Sequence, residues 1–394
     1  MGDKTYIWLT VGISLLVLTS PAGAQDEQWL QYHSEREAQQ IVGDLGSSHL
    51  EFPSEKPQGL ELPQFKGQEQ LFTKWPSPMV KSGYLWIALD CARKQGQWDR
   101  LFIDSNGNGH LNDETPVTAY RTDQSSAYFG PVKVVFEGED EPLTYHLNIR
   151  LYNVNVRSRG LHVYSGGWYE GNITVAGVTK HCTLIDYNAN GTFNDKSIHP
   201  EQCDRIQIGK KESQNTRFVG NYIEVDGVLY QPEIARDGAY IKLTKAEDVK
   251  FGNIRVPETI TEFSAGGENG LFTLKPTKGI GSLPAGKYRI NSWTIERKDE
   301  KGKQWKLEGR SFSVRGDFEV TEKTATSLDV GEPVIGHVRA RKIAGNYEFD
   351  KELRGRLGEY VRLTSSGRSV GDMYRMQAKN KEGTFEKMYP IPDQ

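Results

Sequence analysis

"LFIDSNGNGHLND" runs from residue 101 to 113, and "TLIDYNANGTFND" runs from residue 183 to 195. The two align without a gap. Both read apolar, Ile, Asp, any, Asn, any, Asn, Gly, any, apolar, Asn, Asp. A plain turn between strands needs only one or two residues of the Gly, Asn or Asp type. Here the whole set recurs, which predicts two related β units, each carrying one loop. The residues before each loop, "RLFI" and "CTLI", are apolar and β-branched, so each loop is expected to follow a strand.

The alternation of Asp, Asn and Asn points to a hard cation. Calcium takes six to eight oxygens, and a short chain supplies them from loop positions one, three and five. A Gly at position six makes the bend, and position seven offers its backbone carbonyl. These fall on Asp104, Asn106, Asn108, Gly109 and His110 in the first loop. In the second they fall on Asp186, Asn188, Asn190, Gly191 and Thr192. His110 would give only its carbonyl, because imidazole suits softer metals. Both stretches resemble the first half of an EF-hand calcium loop. That pattern closes with a Glu at position twelve, where this chain has Thr115 and Ser197. Acidic groups come earlier instead, as Asp113, Glu114 and Asp195. The expectation is two weak calcium sites in a β setting, with affinity of roughly 10⁻⁴–10⁻³ M as in extracellular modules.

Around the loops the chain reads as mainly β. "GYLWIALD", "PVKVVFEG", "LTYHLNIRLYNVNV", "LHVYSG" and "NITVAG" are short, β-branched or aromatic, and bounded by turn residues. Asp226-Gly227 and Asp237-Gly238 are strong hairpin signals. A second strand series follows residue 249. Within it "LPAGKYRINSW", from Leu283 to Trp293, is similar to a strand entry of transthyretin-like and other immunoglobulin-like domains, which implies a β-sandwich there. Near the N-terminus, Ser34 and Glu37 have capping-box spacing. They predict one short helix with Ala38, Ile41 and Val42 as its apolar face, ended by Gly43 or Gly46. The expected division is a signal peptide over 1–24, a short helix and Pro-rich connector over 25–78, the duplicated β domain over 79–248, and the sandwich over 249–394.

The first segment has Lys4, the apolar run "YIWLTVGISLLVLTS" and the small residues Ala22, Gly23 and Ala24. That is the order of an export signal with its cleavage site. It predicts an exported protein, periplasmic or extracellular, with no membrane span after cleavage. The chain has 394 residues and a net charge of −3, so nothing suggests a nucleic-acid footprint. Three cysteines, Cys91, Cys182 and Cys203, leave an odd thiol in an exported chain. Cys182 and Cys203 flank the second loop and are the disulfide candidate. The alternative is three small buried apolar residues.

Enzyme signals are thin. "GRSVG", Gly367 to Gly371, matches a nucleophile elbow in spelling, but a strand follows it and no His lies beyond His337. Glu170 in "GGWYEGN" is a lone carboxylate candidate, and Trp168, Tyr169 and Trp293 are candidate sugar-stacking rings with core packing as their usual alternative. As a whole the chain resembles uncharacterised exported bacterial proteins of the planctomycete type that pair calcium loops with β domains, most strongly over 84–250. That resemblance implies export and calcium binding rather than a reaction. Two function classes follow. One is a binding or structural protein at the cell surface or periplasm, with a polysaccharide or another protein as partner. The other is a polysaccharide-active hydrolase in which calcium is structural.

Overall fold

The computed structural model describes residues 27–43, 45–53, 57–91, 98–138, 141–152, 159–211, 215–312, 314–343, 346–369, 375–379 and 386–390. The expected signal peptide, residues 1–24, lies outside them. The chain is mainly β, built from antiparallel sheets.

The strand Leu143–Tyr152 shows why the sequence folds this way. Tyr145, Leu147, Ile149 and Leu151 are buried, while His146, Asn148, Arg150 and Tyr152 between them stay half-buried on the outer face. Such a period of two puts one face on a core. Its partner Ser126–Phe136 buries Ala127, Phe129, Val132, Val134 and Phe136. Between them the register slips: Val132 faces Leu147 and Phe129 faces Ile149. Gly130 and Pro131 thus oppose Asn148 alone, a β-bulge. Gly130 has φ +134°, and a Cβ there would stand 2.5 Å from the Asn148 amide oxygen, so no other residue fits without a shift.

Four sheets share the first core. One is Gln70–Pro76, Tyr84–Asp90, Arg100–Ile103 and Val117–Thr118, in that order. The second holds Ser48–Glu51, Gly160–Ser165, Leu143–Tyr152, Ser126–Phe136 and Arg121–Thr122. The third holds Thr216–Phe218, Arg205–Gly209, Val178–Ile185, Gly167–Val175 and Gln31–Ser34. The fourth holds Gln28–Trp29, Tyr240–Lys245, Val228–Ile234 and Ile223–Val225. Their inner faces meet in one cluster from Leu30 to Leu243. A separate core runs from Ile254 to Val361. In it Ile254 and Leu283 of a three-stranded sheet pack with Phe263, Tyr288 and Trp293 of a larger sheet. The two bodies touch where Asn221 and Tyr222 donate their N–H groups to Glu268 and Asn269 carbonyls, at 2.8 and 3.2 Å. A Cβ on Gly220 would stand 2.2 Å from the Gly270 nitrogen, so glycine permits that approach.

The Asp226-Gly227 hairpin forms as expected. Val225 faces Val228, and both turn residues have positive φ, 51° and 78°, the pair a type I′ turn demands. Two expectations near the N-terminus are corrected. Ser34 is the last residue of a strand and caps nothing. The helix is only Ala38–Val42, Glu37 precedes it without a side-chain cap bond, and Gly43 ends it. Ala38 and Val42 pack on Trp168 and Ile185, but Ile41 is exposed. The segment 25–78 is also more than helix and connector. Gln28–Trp29, Gln31–Ser34, Ser48–Glu51 and Gln70–Pro76 are strands, one in each sheet of the first body. Their apolar runs are too short to show a period, and pairing to distant strands decides them.

The cysteine pair is corrected too. Cys182 and Cys203 are not joined; each is a buried thiol. Cys182 sits in the first core. The Cys203 sulfur donates to the Ser197 carbonyl at 2.9 Å and accepts the Ser197 N–H at 3.2 Å, closing the turn after the second loop. Burial pushes the thiols up to about 12 and about 11, so both stay protonated at neutral pH.

Candidate metal centres

Both loops join neighbouring antiparallel strands. The first links Arg100–Ile103 to Val117–Thr118, and the second links Val178–Ile185 to Arg205–Gly209. No α-helix flanks either, as the strand-like residues before them predicted; a single 3-10 turn, Pro200–Gln202, follows the second loop. The backbones match at two positions. Position four is left-handed in both, Gly107 at φ +71° and Ala189 at +53°. Position six is left-handed too, Gly109 at +83° and Gly191 at +97°. Position eight is an apolar anchor in both. Leu111 is buried with Phe72, Ala88 and Phe102, and Phe193 is buried against Tyr145 and Tyr169.

The side chains repeat as well. In the first loop the Gly109 N–H donates to the Asp104 carboxylate at 2.9 Å. The Asn106 and Asn108 amides reach the same oxygen of Asp113, at 3.2 and 2.7 Å. Their own carbonyl oxygens accept the N–H groups of Asn108 and His110. In the second loop the Gly191 N–H meets Asp186 at 2.7 Å. Asn188 and Asn190 converge on one oxygen of Asp195, at 2.9 and 2.6 Å. The Asn188 and Asn190 oxygens accept from Asn190 N and from the Thr192 N–H and hydroxyl.

Burial separates the loops. Asn106, Asn108 and Gly109 of the first are exposed, with Asp104 below them at 2% exposure. The second loop lies inside the body. Its carbonyls at 188, 189 and 190 accept from Ser48 at 2.9 Å, the Trp75 indole at 2.7 Å and Ser77 at 2.6 Å. Asp186 is fully buried and also accepts the Tyr145 hydroxyl at 2.7 Å.

Sequence reasoning missed one carboxylate. Asp204 is fully buried and accepts the N–H groups of Tyr187 at 3.1 Å and Asp195 at 2.8 Å. In the first loop Glu114 does the matching work, accepting the N–H and hydroxyl of Ser105. Glu114 is inside its motif, but Asp204 lies beyond the repeat, at the start of the next strand. No spacing rule marks it, and only the turn held by Cys203 brings it back.

Burial lifts Asp186 to about 7. Burial, then the charges of Asp186 and Asp195, lift Asp204 far above the usual carboxylate range. Burial raises Asp104 and Glu114 also. The fold therefore holds protons here that an unfolded chain, with carboxyls near about 4, releases. That contribution to stability is present below about pH 4 and is lost as pH rises through about 7. Burial lowers His146 and His162, whose effect has the opposite sign but is complete by about pH 6.5. In chelator the melting temperature is therefore expected to fall between pH 6.5 and 8.5. Melts at the two values, with Asp186→Asn flattening the slope, check this; a rise would contradict it.

Do these residues suit calcium? Among the described residues no group of three or more His, Cys, Asp or Glu side chains is arranged to hold a metal ion. A cation here would rest on mixed donors: Asp104 or Asp186, two asparagine amides, the carbonyl of His110 or Thr192, and Asp113 or Asp195. Two observations favour that fit. One oxygen of buried Asp104 has no hydrogen-bond partner, and an orphaned buried carboxylate oxygen is costly. The side-chain ends of Asn106, Asn108 and Asp113 also gather as neighbours, as do those of Asn188, Asn190 and Asp195. Oxygens around a calcium at 2.3–2.6 Å would themselves lie about 3 Å apart. Calcium would supply positive charge there and no redox or proton chemistry.

The other candidates scatter. Trp293 and Trp168 are core residues, 0% and 4% exposed, and Tyr169 packs on Tyr32 and Phe193, so these three form no stacking face. Glu170 sits 3.5 Å from His181 and 3.3 Å from Lys211 and accepts the Trp168 indole. Burial raises its carboxyl, but these partners outweigh burial and lower it, which suits an ion pair and not a general acid. Ser369 lies in a short strand hairpinned onto Tyr360–Ser365. No family model, curated protein or solved structure matches the chain.

Proposed function

We propose that this chain is an exported calcium-binding β protein with a binding or structural role at the cell surface or periplasm. Calcium at the two loops would hold the strands of the first body together. The observation that carries the reading is the matched pair of loops: the same left-handed positions, the same Asp held by the same Gly N–H, and the same Asn–Asn–Asp convergence. The loops and their strand pairs would be two copies of one β unit, followed by an immunoglobulin- or transthyretin-like sandwich. The orphaned Asp104 oxygen and the buried, proton-holding Asp186 support a missing positive charge at each first position. A metal-free reading draws on the same bonds, since each Asn amide already donates to its Asp and each Asn oxygen accepts a backbone N–H.

Thermal unfolding in chelator and across a calcium series separates the two. A ligand of the native state alone stabilises by mass action, about 2.7 kcal/mol per site at a hundredfold excess over Kd. At affinities of roughly 10⁻⁴–10⁻³ M, about 1 mM calcium is only about one- to tenfold in excess and is worth about 0.4–1.4 kcal/mol per site. The two sites together are therefore expected to raise the melting temperature by about 2–10 °C, given about 2–4 °C per kcal/mol for a body of this size. Magnesium, which demands tighter octahedral geometry, is expected to do little. A flat calcium series leaves the loops as turns only.

A further inference from the structure

Between the second loop and the second body lies a cavity of about 480 Å³. That is within the range of sites that hold small organic ligands, about 300–1,000 Å³. Tyr187 and Glu201 line one side; Arg289, Asn291, Arg310 and Phe312 line the other. The Tyr187 wall is firmly placed. Asp204 holds its N–H, and the Arg205 guanidinium lies 3.7 Å from its ring centre. The opposite wall is strand: Arg289 and Asn291 belong to Gly286–Lys298, and Arg310 ends Gln304–Arg310.

The lining combines two aromatic rings with planar polar groups. Aromatic faces suit the C–H faces of a sugar ring, and amides and guanidiniums suit its hydroxyls. The guanidinium donors narrow the class further. Arg289 spends Nε and Nη2 on Asp317, and its Nη1 makes no hydrogen bond to a described residue. Arg310 spends Nη2 on Glu308, which leaves Nε and Nη1 in the same state. Each guanidinium is already balanced by its own carboxylate, Asp317 or Glu308, but both keep donors to spare on the cavity, whose lining carboxylate is Glu201. Guanidinium matches a carboxylate in shape as well as charge. We infer that this cavity binds an acidic saccharide, a uronic acid unit of an oligosaccharide, by its carboxylate at Arg289 and Arg310. The site names a ligand that the calcium reading does not, and Arg310 and Asn291 lie outside the loop, so its test stands whether or not the loops bind metal.

The test is calorimetric titration of the full chain with trigalacturonic acid and, as a neutral control, maltotriose, in calcium and again in chelator. Trigalacturonic acid is expected to bind and maltotriose to bind at least about tenfold more weakly. Arg310→Ala is expected to weaken acid binding by about tenfold, as loss of a hydrogen bond to a charged group implies, and Asn291→Ala, which loses a bond to a hydroxyl, by about two- to fivefold, with the melting temperature unchanged. No heat from the acid up to about 10 mM, equal binding of both sugars, or undiminished binding by both variants would overturn the inference.

Discussion

Asp186→Ala is expected to lower the stability of the chain by about 2–6 kcal/mol even in chelator, and to remove one site's share of any calcium-dependent rise. The carboxylate is fully buried and accepts from Gly191 N–H, Asn190 N–H and the Tyr145 hydroxyl. Alanine leaves the Gly191 N–H and the Tyr145 hydroxyl without this acceptor, while the Asn190 N–H keeps the Asn188 oxygen at 3.1 Å, and each buried unsatisfied donor costs about 1–3 kcal/mol. Asp186→Asn separates the two contributions. Its amide oxygen still accepts from Gly191 and Tyr145, and the burial that lifts Asp186 to about 7 no longer opposes a charge. In chelator it is expected to lose far less than alanine, while its calcium response matches that of alanine. Denaturant unfolding of the variants, with and without calcium, measures both. A full calcium response in Asp186→Asn would remove the second loop from the metal reading.

Trp75→Ala is the second large effect. Trp75 is 0% exposed, stacks on Tyr145 with ring centres 6.0 Å apart, and packs beside Phe136. Removing a buried Trp side chain costs about 3–5 kcal/mol through lost contacts and the cavity left behind. Its indole also holds the Ala189 carbonyl at 2.7 Å inside the loop, and losing that donor adds about 1–3 kcal/mol. Together these rival the whole stability of an ordinary domain, about 5–15 kcal/mol. The variant is expected to be largely unfolded in chelator and partly rescued by calcium. Trp75→Phe keeps most of the packing and loses only the donor, so it falls between. A loss below about 2 kcal/mol in urea unfolding of Trp75→Ala would mean that the loop is not seated on this ring.

Both effects arise at the second loop because that loop lies inside the body, a difference its sequence does not advertise. "SNGNG" and "YNANG" have nearly the same local chemistry and the same left-handed positions. Yet the first loop meets solvent, and the second meets Ser48, Trp75 and Ser77 from strands and turns more than a hundred residues earlier in the chain.

Much was legible in the residues. Alternation at 143–152 marks a half-buried strand because a pleated backbone turns successive side chains to opposite faces. Asp226-Gly227 marks its hairpin because only such residues take two positive φ values cheaply. The Asp–Asn–Asn–Gly pattern marks the loops because its hydrogen bonds close within about ten residues. Each of these is local, so sequence alone determined them.

What spacing suggested wrongly, or missed, depends on partners far away in the chain. Ser34 and Glu37 have the spacing of a helix cap, but pairing of Ser34 with Gly167 takes it into a sheet. Cys182 and Cys203 bracket the loop, yet one faces the core and the other closes a turn on Ser197. Asp204 has no place in the repeat, and only tertiary folding sets it under the loop. The mainly β fold and the two loops followed from local stereochemistry. Which carboxylates are buried, which loop is core, and where a cavity opens between the bodies were decided by long-range packing, because burial and the cost of charge depend on what the rest of the chain places around a group.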